Sequence, residues 1–203
     1  RAILRALTLS GMRVRAFVRS SKQAEEIRVN NHCQVSIGDL RDVDALSSAI
    51  DGIEKVYFIC PNMTPDEVEI GRHLLKLTKA HNISQFVYHS VLHPQAEEMP
   101  HHWQKMRVEE SIFSSGLNFT ILQPCAYMQN VMQYWNAIIN EGVYSVPYAT
   151  TARISMVDLE DVAQVAANVT SLSENPSPYF HRLCRRHSQS AHGSATHYPA
   201  HHT

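Results

Sequence analysis

The chain has 203 residues, 44% of them hydrophobic and 8% aromatic, with 18 Lys+Arg against 19 Asp+Glu and a formal charge of −1. This composition belongs to a globular chain of one or two domains and excludes disorder throughout, a large basic field for nucleic acid, and any apolar run near the ~20 residues that span a bilayer. Neither a nucleic-acid nor a membrane partner is expected, and a cytoplasmic location is. Cys33, Cys60, Cys125 and Cys184 form no C-x-x-C pair, so reduced, packed thiols are expected and no metal site is.

The chain starts at Arg1 rather than Met, already in a helical pattern of Ile3, Leu4 and Leu7 that stops at Gly11. The start reads as cut. Residues 13–19 (R-V-R-A-F-V-R) predict a strand with Val14, Ala16 and Val18 on one face, followed by a polar helix from about Lys22. Gln34 to Ile37 predicts a second strand, and Val43 to Ile50 a helix stopped by Gly52. Lys55 to Ile59 is an apolar run of β-formers, the kind buried on both faces of a parallel sheet. Thr64-Pro65-Asp66-Glu67 combines an N-cap, a first-turn proline and a capping-box glutamate, which predicts a helix from there to about His81.

Gln85 to His89 is the next strand, Pro100 to Ser115 a helix, and Asn118 to Leu122 a strand. Met128, Val131, Met132, Trp135, Ile138 and Ile139 recur at helical spacing, which predicts a core-facing stripe before Gly142. Val143 to Val146 and Ile154 to Val157 are candidate short strands, and Asp158 can cap a helix that turns Val162, Val165, Ala166 and Val169 inward. From Asn175 onward the text holds six of the 13 histidines, three arginines, no acids and no periodicity. It reads as a low-complexity tail over 175–203, dispensable for folding, beside a domain over 1–174. Its histidines, among them His187, His192, His197, His201 and His202, offer loose affinity for transition metals and nothing more. Strand-helix alternation at this density gives an α/β fold with a mostly parallel sheet.

A doubly wound sheet binds ligands beyond the carboxyl ends of its strands. Here those ends carry Arg19 to Lys22, Gly38-Asp39-Leu40, Cys60-Pro61-Asn62-Met63, Ser90 to Pro94, and Gln123-Pro124-Cys125-Ala126-Tyr127. With R-V-R-A-F-V-R (13–19), G-D-L (38–40), H-H-W-Q-K (101–105), T-I-L-Q-P-C-A-Y-M-Q-N (120–130) and V-D-L-E-D-V-A (157–163) in this order, the chain resembles the NmrA-like branch of the atypical short-chain dehydrogenase/reductases over roughly Arg1 to Thr170.

The resemblance implies an NAD(P)-binding, Rossmann-like doubly wound sheet in which Arg19 follows the second strand of the complete fold. An arginine there accommodates a 2′-phosphate, so Arg19 and Lys22 favour NADP over NAD, against the alternative of two solvated surface cations. Asp39 resembles the residue near the adenine; its plain reading is a turn aspartate after Gly38. Leu40, Pro61, Lys105, Pro124 and Tyr127 complete the cofactor-facing set that the resemblance implies. The glycines stand at 11, 38, 52, 71, 116, 142 and 193, so the chain holds no G-x-x-G or G-x-G-x-x-G. The expectation is a fold lacking its first strand and glycine loop, with residues 13–19 and 55–59 sharing no neighbour.

Typical short-chain reductases place Tyr and Lys four apart on one helix face, with a Ser from the preceding strand end. The matching positions are His101, Lys105 and Ser90. His101 is a possible acid or a plain helix-end histidine, and Ser90 a catalytic or a loop-capping hydroxyl. Three readings follow: an NAD(P)-binding redox sensor with weak or no catalysis that regulates a protein partner, an NADPH-dependent quinone-type oxidoreductase, or a truncated product that binds nothing.

Overall fold

The computed structural model describes residues 1–28, 33–146, 148–149, 151–171, 179–183 and 196–197. Helices α1 (Ala2–Leu9), α2 (Ser21–Arg28) and α3 (Val43–Ile50) alternate with strands β1 (Val14–Val18) and β2 (Cys33–Ile37). Then come β3 (Lys55–Phe58), α4 (Glu67–Ala80), β4 (Gln85–His89), α5 (Pro100–Phe113) and β5 (Phe119–Pro124). After β5 lie β6 (Ala126–Tyr127), a 3-10 helix (Met128–Tyr134), α6 (Trp135–Glu141), β7 (Met156–Val157), α7 (Leu159–Ser171), β8 (Tyr179–Leu183) and β9 (Thr196–His197).

Strands β1 and β2 pair in parallel from Val14 opposite Cys33 to Val18 opposite Ile37. The larger sheet runs β3-β4-β5-β8-β9, parallel throughout except for the antiparallel β8–β9 pair. As expected, β1 and β3 lie in different sheets and share no strand among the described residues.

Strand β4, between β3 and β5, has no exposed face, because all five of its residues are buried. Its two faces feed two cores. Phe86 and Tyr88 join Phe58, Leu74, Val108, Ile112 and Ile121 under α4 and α5, whereas Val87 joins Leu122, Val157, Val162, Ala166 and Val169 against α7. On the first side α4 and α5 approach closely at Gly71, where an added Cβ would meet Val108 Cγ1 at 3.0 Å. A larger residue would have to push the helices apart.

Four expectations are corrected. Helix α4 starts at Glu67, with Asp66 in the N-cap position and no side-chain cap. Thr64 is outside it, donating its hydroxyl to the Pro61 carbonyl at 2.7 Å. Glu67 has been drawn into the core rather than back to the helix end. The stripe from Met128 to Ile139 does not face the core: Met132 is 58% exposed and Ile139 62%. Its first half is a 3-10 helix with three residues per turn, so side chains spaced for 3.6 do not stay on one side. Val143 to Val146 is not a strand, while Met156–Val157 pairs with Ala126–Tyr127. Finally, the stretch that reads as a tail contributes β8, paired with β5 from Thr120 opposite Tyr179 to Pro124 opposite Leu183.

That last pairing gives the expectation that residues 175–203 are dispensable a direct test. Leu183 is buried in the α7-side core, and its carbonyl accepts the Cys125 N–H at 3.0 Å. Deleting 175–203 uncovers one edge of β5 and removes that contact, so thermal unfolding of the shortened chain should come several degrees lower. An unchanged melting temperature would show that β8 contributes nothing to stability.

Candidate functional site

At the carboxyl ends of β3, β4 and β5 the two faces of the sheet carry different chemistry. On the α4–α5 face, Lys105 donates from Nζ to Glu67 Oε1 at 2.7 Å, and the Tyr88 hydroxyl donates to the same oxygen at 2.7 Å. All three residues are buried, with Glu67 1% and Lys105 6% exposed. The ammonium also lies 5.8 Å from the centroid of the Tyr88 ring, a favourable position for a cation. The helix packing makes this contact: Glu67 opens α4 one turn before Gly71, Lys105 stands one turn before Val108 on α5, and the close crossing brings both into register.

One turn further along α5, Glu109 is 2% exposed and accepts from the Ser90 hydroxyl. The Gln123 amide donates to both Glu109 oxygens, at 2.9 and 3.1 Å. Lys105 and Ser90, two of the residues expected to carry catalysis, thus lie on one face with their polar groups held by buried carboxylates. His101, in the first turn of α5, is half-buried with its ring edge-on to that of His102. Burial first, and then the neighbouring His102 and Lys105, lower its pKa from the usual histidine value.

The opposite face holds a neutral chain. His89 is 3% exposed, its Nδ1 lies 2.7 Å from the Tyr57 hydroxyl and its Nε2 2.6 Å from that of Tyr127. Burial, helped by the Lys105 charge, pushes the imidazole pKa down to about 4. The same desolvation raises both phenols, Tyr127 to about 12. Cys60 and Cys125 are buried thiols, and burial pushes Cys60 up to about 11.

The remaining expected residues are spread along the sheet edge. Arg19 and Lys22 are exposed after β1, and neither side chain has a hydrogen-bond or ion-pair partner among the described residues. Ser20 and Gln23 shape the turn there, with the Gln23 N–H donating to Ser20 Oγ and the Arg19 N–H to Gln23 Oε1. Asp39 forms the turn, accepting the Arg41 N–H at 2.9 Å, and Arg41 bridges to Asp66 at 2.6 Å. Leu40 packs on the α4–α5 core, Pro61 is exposed after β3, and Pro124 is buried with its carbonyl accepting the Leu92 N–H at 2.8 Å. Beyond Tyr127, Gln129 donates to Asp158 at 2.9 Å and accepts the Leu159 N–H at 3.0 Å, tying this segment to the start of α7. Cys184, His187, His192, His201 and His202 lie outside the described residues. Among the described residues no three His, Cys, Asp or Glu cluster as metal ligands, and no helix is long and apolar enough to cross a membrane.

Glu67, Glu109, His89 and Tyr57 are the members that sequence reasoning missed. The available signal for Glu67 was its register with Ile70, Gly71 and Leu74, which places a carboxylate on the buried stripe of α4. For His89 it was an imidazole ending the otherwise apolar run F-V-Y.

Removing one partner of a buried ion pair strands the other charge, at about 3–5 kcal/mol. Glu67→Gln and Lys105→Met should each lose stability on that scale, and the double variant much less than their sum, by urea unfolding. Additive losses would mean the two groups do not interact. The histidine has its own pH signature. The unfolded imidazole takes up a proton near its ordinary 6.5 while the folded one waits until about 4. Stability from His89 is therefore complete above pH 6.5 and falls by about 3 kcal/mol as pH drops towards 4. A His89→Gln variant should lack that part of the slope; an identical pH profile would place the His89 pKa near normal.

A search against protein families matches residues 1–177 to the NmrA-like family. Among curated proteins, the chain is 28% identical to an NAD(P)H azoreductase of Xenophilus azovorans, over 81% of this chain and 57% of that protein. It is 25% identical to quinone oxidoreductase 2 of Escherichia coli, again over 81% and 57%. The chain thus spans a little over half the length of these relatives. Among solved structures it resembles an NADPH complex of an Escherichia coli NADPH-dependent quinone oxidoreductase, with a TM-score of 0.74 at 23% identity over 86% of this chain and 62% of that one. The family match covers most of the chain and the fold agrees with it, so the chain belongs to the NmrA-like family.

Proposed function

We propose that the chain is the dinucleotide-binding part of an NADPH-dependent reductase of conjugated acceptors, quinones or azo compounds. The observation that carries the reading is the pair of exposed, unpartnered cations Arg19 and Lys22 after β1. Arg1, Arg5, Arg41 and Arg107 are each engaged in an ion pair; Arg13, Arg72 and Arg153 are unpaired like Arg19 among the described residues, but only Arg19 of these stands at the carboxyl end of a strand. Its guanidinium fork suits a 2′-phosphate. The names of the relatives, an NAD(P)H azoreductase and a quinone oxidoreductase, support the acceptor class.

The residues present fit the dinucleotide at its adenosine end, with Arg19 and Lys22 on the 2′-phosphate and Asp39 and Leu40 beside them at the end of β2. With glycines only at 11, 38, 52, 71, 116, 142 and 193, the chain has no glycine loop for the pyrophosphate. Bound NADPH would supply a hydride. This chain would orient it with the turns after β3 and β5, through Pro61, Pro124 and Tyr127, while Lys105 and His101 stand at the start of α5. Ser90 serves here as a clamp on Glu109 rather than as a donor to the acceptor.

A second reading, a nucleotide sensor with weak or no catalysis that regulates a protein partner, is favoured by one observation. Both Lys105 and Ser90 are spent on buried carboxylates. The two readings separate in an assay of NADPH oxidation with a naphthoquinone and an azo dye. Turnover supports the reductase; NADPH binding without turnover supports the sensor. In either case Arg19→Ala should weaken NADPH by ~1–3 kcal/mol and leave NADH unchanged in a fluorescence titration. Equal losses for both nucleotides would remove the 2′-phosphate assignment.

A further inference from the structure

We propose that Tyr127 donates the proton that completes reduction of the acceptor, with His89 and Tyr57 as the positioning residues that hold its hydroxyl; the proposal rests on the reductase reading above. Tyr127 follows β5 at the carboxyl edge of the sheet and is half-buried, whereas the imidazole it touches is 3% exposed. Both imidazole nitrogens are taken by phenols, Tyr57 on Nδ1 and Tyr127 on Nε2. Any buried imidazole needs partners for its nitrogens; here both are phenols, and one of them, Tyr127, stands at the carboxyl edge of the sheet.

The chain Tyr57–His89–Tyr127 has two settings, because a neutral imidazole donates from one nitrogen and accepts at the other. In the first, Tyr57 donates to Nδ1 and the Nε2–H donates to the Tyr127 oxygen, so the Tyr127 proton is free to face a ligand. In the second, Tyr127 donates to Nε2 and offers only lone pairs. A low histidine pKa keeps the ring neutral, so both settings exist without a buried charge. On the other face the Ser90 proton goes to Glu109, and Lys105 is tied to Glu67 by one of its three protons.

Hydride from NADPH carries two electrons to the acceptor, leaving a negative charge on its oxygen or nitrogen. A new O–H or N–H bond forms there as the Tyr127 O–H breaks. The Nε2 proton passes to the Tyr127 oxygen, the Tyr57 proton to Nδ1, and a proton from solvent returns to Tyr57. In sum, NADPH, acceptor and one proton from solvent become NADP and the dihydro product.

The test uses the whole chain, with Tyr127→Phe and Tyr57→Phe, a naphthoquinone as acceptor, NADPH titration, and 15N NMR of the His89 ring. Tyr127→Phe should lower kcat about 100-fold with NADPH affinity changed less than about two-fold, the loss expected of a missing general acid. Tyr57→Phe, remote from the acceptor, should lower kcat by about 3–10-fold and leave KM in place. The NMR spectrum should show a neutral ring protonated at Nε2, and Tyr57→Phe should abolish that preference. Wild-type turnover with an unimpaired Tyr127→Phe overturns this proposal alone. So does a His89 ring that shows no tautomer preference. A wild type that binds NADPH but reduces nothing overturns the reductase reading, and this proposal with it.

Discussion

The buried ion pair between Glu67 and Lys105 is the constraint around which the α4–α5 half of the molecule is arranged. Taking a carboxylate and an ammonium out of water costs several kcal/mol per ion, and their attraction repays this only when geometry and extra hydrogen bonds are good. Both conditions are met. Gly71 lets α4 close on Val108, which sets the helix spacing, and the Tyr88 hydroxyl supplies a second donor to the Glu67 oxygen that receives Lys105. Tyr88 in turn stacks on Phe58 with centroids 5.5 Å apart, so the polar cluster is tied to the apolar core beneath it. Substitution of Gly71 would disturb the ion pair without touching either charge.

The same arithmetic explains why Lys105 is an ambiguous site residue. A lysine at this position, four after His101, resembles the lysine of the reductase pattern, and the structure does place it beneath the strand ends. Its ammonium, however, is engaged inside the protein. For Lys105 to reach a ribose hydroxyl it would have to leave a carboxylate that is itself 1% exposed. The cost of that step is the cost of stranding Glu67, so this lysine serves the site most economically by fixing α5 against α4.

Much of the fold was legible in the sequence. The strand runs 14–18, 55–58 and 85–89, the helix 43–50 and the inward face of α7 stand where periodicity and caps place them. These elements are defined by local pattern, and their burial agrees with it. The failures share a cause. Glu67 fits a capping box by spacing, but the tertiary demand of Lys105 outweighs a local cap. The Met128 to Ile139 stripe fits a helix by period, but the backbone takes a 3-10 path for its first half. Strand β8 is invisible to periodicity because only five residues, Y-F-H-R-L, pair with β5, and none of its neighbours in sequence extends the pattern. Of the site, Arg19, Ser90, Lys105 and Tyr127 could be named from their places after strands and on α5. Their partners Glu67, Glu109, His89 and Tyr57 come from other elements, and no spacing rule joins them.

Alternation along β4 explains how two unlike polar networks can end on one strand. Tyr88 points to the charged side, with Glu67 and Lys105, and His89 to the neutral side, with Tyr57 and Tyr127. The two sides are not independent, since the Lys105 charge is one of the causes that hold the His89 pKa down. A second cation close to a paired ammonium would have little solvent to screen it. Glu67 and Glu109 therefore lie on the lysine side, where they offset its charge, and the His89 ring is hydrogen-bonded only to phenols, which pass a hydrogen bond without becoming ions. For the proposed reductase, that division means each network can change state without unbalancing the other.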